Sequence, residues 1–298
     1  MKQTYVRGTS LRLISEPAEL AAFCRERKQR GETIGFVPTM GALHEGHAFL
    51  FREAVAQSDC TIISVFVNPA QFGDPDDYQY YPRDLAHDRL VAEHAGVTVL
   101  FCPSAETMYP EGTSVSAHVA AKTDVLCGQS RPGHFDGVVT ILTKLFALIQ
   151  PDCVFFGMKD AQQVAIVDDL LHSFLFPIKL VACPIVREAD GLARSSRNAR
   201  LTTEERSEAP HVSRGLQAGL EAVRDGCREA AAIAQTVKDY YQQHLTIGRV
   251  DYVDVLTYPG LTSPPDGMVT GRFIIASAVY YSKARLIDNV TENCSASV

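Results

Sequence analysis

Two histidines three residues apart, His44 and His47, stand in the stretch "VPTMGALHEGH" (37–47), behind an apolar run and a small-residue turn. Side chains at i and i+3 share one face of a helical turn, so both imidazoles would point the same way. Gly41 and Gly46 let backbone approach a ligand closely. A strand, a tight turn and a helix N-terminus make an anion site, because unpaired N–H groups and the helix dipole face the same ligand. Two imidazoles there can donate hydrogen bonds to phosphate oxygens or to charge developing in a transition state. The plainer alternative, one histidine capping the helix and the other merely exposed, stays open on this motif alone. Zinc is disfavoured: the pattern is not HExxH, and no third ligand is evident.

Three further stretches carry groups of the same kind. In "FVNPAQFG", Asn68 and Gln71 follow a strand that ends at Val67, so both side chains are expected at the sheet's carboxyl edge. Neutral amides there can bind a hydroxyl and a carboxylate without adding charge, although Asn-Pro is also a common turn starter. In "FFGMKDAQQ", Gly157 ends a strand, Lys159 and Asp160 open a helix, and Gln163 lies one turn on. Lys159 is a phosphate partner or a surface lysine. In "DGLARSSRN", Ser195, Ser196 and Arg197 form a polar loop. Two hydroxyls and a guanidinium suit triphosphate oxygens, and a solvated linker is the alternative. Three of the four stretches fall at predicted strand ends on one side of one sheet.

The elements that must position these groups are legible as alternating patterns. "TIGFV" (33–37), "TIISVFV" (61–67), "VTVLF" (97–101), "CVFFG" (153–157) and "IKLVA" (178–182) read as strands. Helices are expected over about 44–57, 83–95, 137–149 and 159–174. Val138, Ile141, Leu145 and Leu148 share one stripe, and Val164, Val167, Leu171 and Phe174 another. Strands alternating with helices of this length imply βαβ units and a mostly parallel, Rossmann-like α/β sheet, whose ligands sit beyond the carboxyl ends of the strands. After residue 185 a helical region (203–246) precedes strands at 250–258 and 272–280, which reads as a smaller C-terminal α+β domain. The expected division is 1–185 and 186–298.

Composition narrows the function classes. A chain of 298 residues with 46% hydrophobic and 21% charged residues is globular, and a net charge of −7 argues against a nucleic-acid binder. No stretch approaches the ~20 apolar residues of a membrane span, and the N-terminus lacks the apolar core of a secretory signal. The eight cysteines are scattered, with no CxxC pair, which fits reduced thiols and a cytoplasmic setting.

From about residue 11 to residue 288 the chain resembles the pantoate–β-alanine ligase family, nucleotidyltransferases with a HIGH-type motif. The likeness rests on "PTMGALHEGH", "SVFVNPAQF", "YPRDL", "SRPGHFDGVVTILTKLFALIQPD", "FFGMKDAQQ" and "DGLARSSRNARL", in that order and spacing. It implies ATP-dependent condensation of (R)-pantoate with β-alanine to pantothenate, AMP and pyrophosphate, through a pantoyl adenylate. Carried over, Met40, Gly41, Ala42, Leu43, His44, Glu45, Gly46 and His47 line the ATP site, and His47 matches the proton donor. The imidazoles act as hydrogen-bond donors whose strength rises on protonation. Gly157, Met158, Lys159 and Asp160 meet the nucleotide, with Lys159 on phosphates and Asp160 on ribose. Val186 contacts adenine, and Arg194, Ser195, Ser196 and Arg197 close over the triphosphate. Gln71 and Gln163 hold pantoate, Gln71 also faces β-alanine, and Asn68 supports the phosphate region. Asp88 is the candidate for helping hold Mg²⁺ on the β- and γ-phosphates. A homodimer is also implied, and nothing in the periodicity locates its interface.

Four positions depart from the family pattern. Met158 replaces a usual Glu, Ala161 a usual Phe, Cys127 a usual Glu, and Arg194 a usual Leu. Two competing functions remain to be weighed. Another nucleotidyltransferase would want extra basic residues for an acceptor phosphate, where this chain has Gln71 and Gln163. A non-catalytic nucleotide-binding protein would have lost activity through Met158 and Cys127, yet the histidines, glutamines, Lys159 and Arg197 are all in place.

Overall fold

Apolar runs buried on both faces are the sequence of central parallel strands. The computed structural model describes residues 11–294 apart from 74, 111 and 113, so the N-terminal stretch read for a signal lies largely outside the described residues. Six strands, β1 (Arg12–Ile14), β2 (Ile34–Thr39), β3 (Cys60–Val65), β4 (Val99–Phe101), β5 (Cys153–Gly157) and β6 (Lys179–Cys183), form one sheet in the order β1-β4-β3-β2-β5-β6. Every neighbouring pair is parallel. Ile34 and Phe36 of β2, Ile62 and Ile63 of β3, and Val154 and Phe155 of β5 are fully buried.

The register matters for the site. Thr39 lies opposite Val65, and the Phe66 N–H donates to the Thr39 carbonyl at 3.1 Å. The turn that leaves β2 and the segment that leaves β3 therefore emerge side by side.

The chain folds as two compact units. The first holds residues up to 119 together with 131–157 and 167–183; the second holds 120–130, 158–166 and everything from 184 on. A single cut between 185 and 186 misses the two inserted segments, because a tertiary contact rather than composition assigns them. Buried Gln162 accepts from the Cys127 N–H and donates to the carbonyls of Lys122 and Val125, tying 120–130 to 158–166.

The second unit contains an antiparallel sheet of β7 (Arg249–Thr257), β8 (Gly271–Tyr280) and β9 (Arg285–Cys294). Leu216, Leu220, Ile233, Val237 and Tyr241 from two helices pack with Val255, Phe273 and Ile275. The helical region expected over 203–246 consists of three helices: Thr203–Glu208, Pro210–Arg224 and Ala230–His244. Pro210 can only begin a helix turn, and Gly226, at φ +104°, takes a backbone conformation closed to other residues.

Two helical stripes need correction. Phe174 lies past the end of the helix Ala161–Ser173 and is 54% exposed, although Val164, Val167 and Leu171 are buried. Leu148 is only half-buried, and the helix His134–Ile149 is covered on several sides, burying Phe135, Val139, Leu142 and Phe146 as well. Neither β1 nor the helix Pro17–Gln29 is visible in the sequence pattern. That helix buries only Leu20, Phe23 and Cys24 among many charged residues.

One buried ion pair organises the chain just after residue 184. Arg187 reaches both oxygens of Asp288 (2.6 and 3.0 Å) and also donates to the Gly191 carbonyl and to Ser213. Removing one partner from such a pair leaves an uncompensated buried charge. Because Arg187 keeps some exposure and its bonds to Gly191 and Ser213, Asp288→Ala should lower unfolding free energy by about 1–3 kcal/mol, read from urea denaturation; a change within the error of that measurement would remove the pair from the stabilising set.

Candidate active site

The turn after β2 is built from two consecutive left-handed residues, Gly41 (φ +86°) and Ala42 (φ +51°). For alanine this conformation costs about 1–2 kcal/mol, so something must hold it. Gly41 is also required by space, since a Cβ there would lie 2.8 Å from Asp88 Oδ2 and 2.9 Å from Val65 Cγ1. The Ala42 and Leu43 N–H groups donate to Asp88 Oδ2 (3.2 Å) and Oδ1 (2.8 Å), and Gly41 N–H donates to Thr39 Oγ1 (3.2 Å).

The helix Glu45–Gln57 then begins, with His44 as its N-cap rather than its first residue. Gly46 N–H donates to His44 Nδ1 at 3.0 Å, and His44 N–H donates to His47 Nδ1 at 3.3 Å. The rings lie 4.1 Å apart. This overturns one expectation. The backbone N–H groups of residues 41, 42, 43, 44 and 46 are taken by side chains, so they are not waiting for an anion. A ring nitrogen that accepts carries no proton, so each neutral imidazole keeps its proton on Nε2. Capping and ligand donation are therefore not alternatives: one edge of each ring caps the helix and the other edge carries the donor.

Asp88 does not fit the magnesium role that the resemblance offers. Each of its oxygens already accepts a backbone N–H, and the residue is 1% exposed. A magnesium ligand must face water and phosphate, since the ion keeps several waters. Burial pushes the Asp88 carboxyl above its ordinary range, with the Leu43 and Ala42 N–H groups opposing. Among the described residues there is also no cluster of three or more His, Cys, Asp or Glu arranged to hold a metal.

Asn68 and Gln71 sit on the segment leaving β3, buried rather than projecting into solvent. Asn68 Nδ2 donates to Gln71 Oε1 (3.1 Å) and to the Gly137 carbonyl (3.0 Å), and its Oδ1 accepts from Tyr109 Oη (2.8 Å) and Ala70 N–H (3.3 Å). Asn68 is thus both a turn starter and the support of Gln71. The Gln71 carbonyl oxygen lies 2.8 Å from His134 Nδ1, and its Nε2 donates to the Met40 sulfur. Gly137 permits this approach: a Cβ there would stand 2.2 Å from the Ala70 oxygen. Tyr109, His134 and Gly137 were not singled out from sequence. Only the "GHFDG" string in the family-like stretch marks two of them.

Gly157 ends β5 in the first unit, and the second unit carries the other expected residues. Lys159 lies in the short 3-10 turn Met158–Asp160, and the backbone carbonyls of Met158 and Lys159 both accept from Asn289 Nδ2. Although the residue keeps some surface, its ammonium is desolvated, and this pushes its proton affinity below the ordinary lysine range. Asp160 and Asp288 pull it back up, and Arg197 adds to the fall. Gln162 is buried and structural, whereas its neighbour Gln163 is half-exposed.

The loop from Val186 is not an open linker. Arg194 N–H donates to the Val186 carbonyl, Asn198 bonds Glu188 and the Ala193 carbonyl, and Arg206 pairs with Glu188 and Asp190. Ser195 Oγ accepts from Arg197 N–H, capping the turn Ser196–Arg200. Arg194 Nε is buried with no hydrogen-bond partner among the described residues.

The departures from the family pattern fall in this unit. Met158 and Ala161 pack against Tyr258 in a cluster with Ala165, Leu256 and Ile274. Cys127 receives Arg285 Nη1 at 3.3 Å, while Asp251 holds the same guanidinium through Nε and Nη2 (2.9 and 2.7 Å). Arg285 therefore keeps a carboxylate partner without a glutamate at 127.

Lys159 yields a pH prediction. Its folded-state proton affinity is lower than that of the unfolded chain, so the unfolded state binds the extra proton below the ordinary lysine value of 10.5 and stability rises as pH climbs toward it. Lys159→Met should melt at a higher temperature than the wild type at neutral pH, with the gap closing in alkali. A variant less stable at neutral pH, or a gap indifferent to pH, would contradict this placement of the ammonium.

Comparison with known proteins gives the family. Residues 12–291 match the family model described as pantoate-beta-alanine ligase. Pantothenate synthetase of Geobacillus kaustophilus is 53% identical over 278 residues, covering 93% of this chain and 92% of that protein. That of Bacillus subtilis is 50% identical over 280 residues, covering 94% and 96%. Among solved structures, pantothenate synthetase from Thermus thermophilus superposes with a TM-score of 0.85 at 41% identity, covering 94% of this chain and 98% of that one. A pantoate-beta-alanine ligase from Francisella tularensis, complexed with beta-gamma ATP and beta-alanine, gives 0.75 at 31% identity, covering 94% and 97%. The chain belongs to the pantoate–β-alanine ligase family, the enzymes called pantothenate synthetases.

Proposed function

We propose that this ligase activates (R)-pantoate with ATP and then transfers the pantoyl group to β-alanine. A free carboxylate is a poor acyl donor, whereas a mixed anhydride with phosphate has a good leaving group. In the first step a pantoate carboxylate oxygen bonds to the α-phosphorus and pyrophosphate leaves. In the second, the β-alanine amine bonds to the pantoyl carbonyl carbon, the bond to the AMP oxygen breaks, and the nitrogen loses a proton. The Francisella tularensis relative, with its nucleotide and β-alanine, supports this pair of ligands.

The observation that carries the reading is that Nδ1 of His44 and Nδ1 of His47 each accept a backbone N–H. Both Nδ1 atoms are engaged in the cap, so both Nε2–H groups serve as donors to phosphate oxygens, and His47 is the proton donor. Met40 to His47 line the nucleotide site. Gln71 takes the pantoate carboxylate and hydroxyl and faces β-alanine. Its present acceptor is a thioether sulfur, a weak one that a substrate oxygen replaces readily. Asn68 acts through Gln71, and Gln163 is the second pantoate amide.

Gly157 and Met158 border the nucleotide, with Asp160 on the ribose and Val186 on adenine. Lys159 and Arg197 balance phosphate charge. A desolvated ammonium gains more from an arriving anion than a hydrated one does. Ser195 accepts within its own turn and keeps its O–H to donate, beside Ser196 and Arg194. Mg²⁺ enters with the triphosphate, held by phosphate and water; no step is assigned to it.

Pyrophosphate release in the presence of ATP, Mg²⁺ and pantoate, with and without β-alanine, tests the reaction. Turnover should depend on β-alanine, and its absence would remove the ligase assignment. His47→Ala should cut kcat by ~10²–10³, as loss of a donor to developing charge does, while unfolding free energy falls by only about 0.5–2 kcal/mol through loss of the cap bond to the His44 N–H; wild-type kcat would overturn its role. On the same reading the chain works as a cytoplasmic homodimer without nucleic-acid or membrane partners, and no helix among the described residues is long and apolar enough to cross a membrane. Sedimentation equilibrium should return twice the chain mass, and a monomer would exclude the dimer.

A further inference from the structure

The carboxylate that does not fit magnesium has another use. Asp88 and His87 stand on the first turns of the helix Leu85–His94, which Asp84 caps through the His87 N–H at 3.0 Å. Between them they hold one residue, Leu43, at both its N–H and its carbonyl. Asp88 Oδ1 takes the Leu43 N–H at 2.8 Å, His87 Nε2 lies 3.1 Å from the Leu43 carbonyl oxygen, and Asp88 Oδ2 takes the Ala42 N–H at 3.2 Å. Leu43 directly precedes His44, the helix cap. Rotation of the Leu43 peptide would turn the cap and, through the His44–His47 bond, both imidazoles. The clamp also holds Ala42 in the left-handed region, where an alanine does not stay unaided.

We infer that Asp88 is a positioning residue for the nucleotide turn and not a ligand of the metal: with His87 it fixes the backbone of Gly41 to Leu43, and so the orientation in which His44 and His47 meet phosphate. This rests on the reading that Met40 to His47 take the nucleotide. A metal ligand and a turn clamp respond differently to the same changes. Asp88→Asn keeps the shape and turns an NH₂ toward one of the two N–H groups. Replacing Ala42 by glycine lets the turn form without the carboxylate, since glycine takes positive φ freely, and no glycine can replace a missing metal ligand.

The test is steady-state kinetics on the purified full chain with Mg²⁺ titrated at saturating ATP, together with Mn²⁺ binding to the enzyme–ATP complex followed by electron paramagnetic resonance. Asp88→Asn should lower kcat by about 10²-fold, the scale of a misplaced catalytic group, with half-saturating Mg²⁺ and Mn²⁺ affinity unchanged. Ala42→Gly in that background should restore part of the loss. Restoration by excess Mg²⁺, weakened Mn²⁺ binding, wild-type kcat in Asp88→Asn, or no rescue by Ala42→Gly would each overturn the inference. Should Asp88→Asn fail to fold, His87→Ala reads the clamp from its other half: lower kcat at unshifted Mg²⁺ dependence supports it, and wild-type kcat overturns it. A wild type with no ATP-dependent turnover would instead remove the parent reading, so the two failures are distinguishable.

Discussion

A chain leaving a buried strand carries N–H groups that must find acceptors, and in this protein side chains supply them before any ligand arrives. Between Gly41 and Gly46 the acceptors are Thr39, Asp88, His47 and His44. Each of these bonds removes a freedom from the turn, and together they set where both imidazoles point. Donors held in this way are preorganised: they are oriented during folding, and a ligand need not reorder backbone. The sequence of the turn follows from the same need, since Gly41 meets both a positive φ and a space that admits no Cβ.

The same logic governs the amides after β3. Parallel register sets Thr39 against Val65 and brings Gln71 within reach of Met40. Asn68 uses both of its amide hydrogens and accepts twice at its oxygen, so its role is spent on holding Gln71 and the Gly137 carbonyl. Gln71 itself is left with one strong and one weak partner. A side chain held firmly at one end and loosely at the other is suited to exchange the weak partner for a substrate.

In the second unit the cost is placed differently. Lys159 is desolvated among the mixed charges of Asp160, Asp288 and Arg197, which disfavours its charged form in the empty protein and strengthens its response to an anion. The surrounding frame is rigidly bonded, with Arg187 on Asp288, and Asn289 on the carbonyls of Met158 and Lys159. The unusual residues at 127, 158 and 161 are absorbed by that frame. Cys127 still meets Arg285, and the sulfur of Met158 meets Tyr258.

By itself the sequence determined the alternation of strand and helix, the α/β class and the family that its motifs announce. Strand-length apolar runs and a motif held in register are local signals, written in neighbouring residues. Tertiary structure alone decided the rest. That Asp88 serves the turn of residues 41–43, that Gln162 rather than composition assigns 120–130 to the second unit, that 203–246 breaks into three helices, and that the turn's N–H groups are already occupied all depend on partners the sequence pattern does not pair. A hydrogen bond across 46 positions leaves no periodic trace, because its partners are selected by where the sheet and helices carry them.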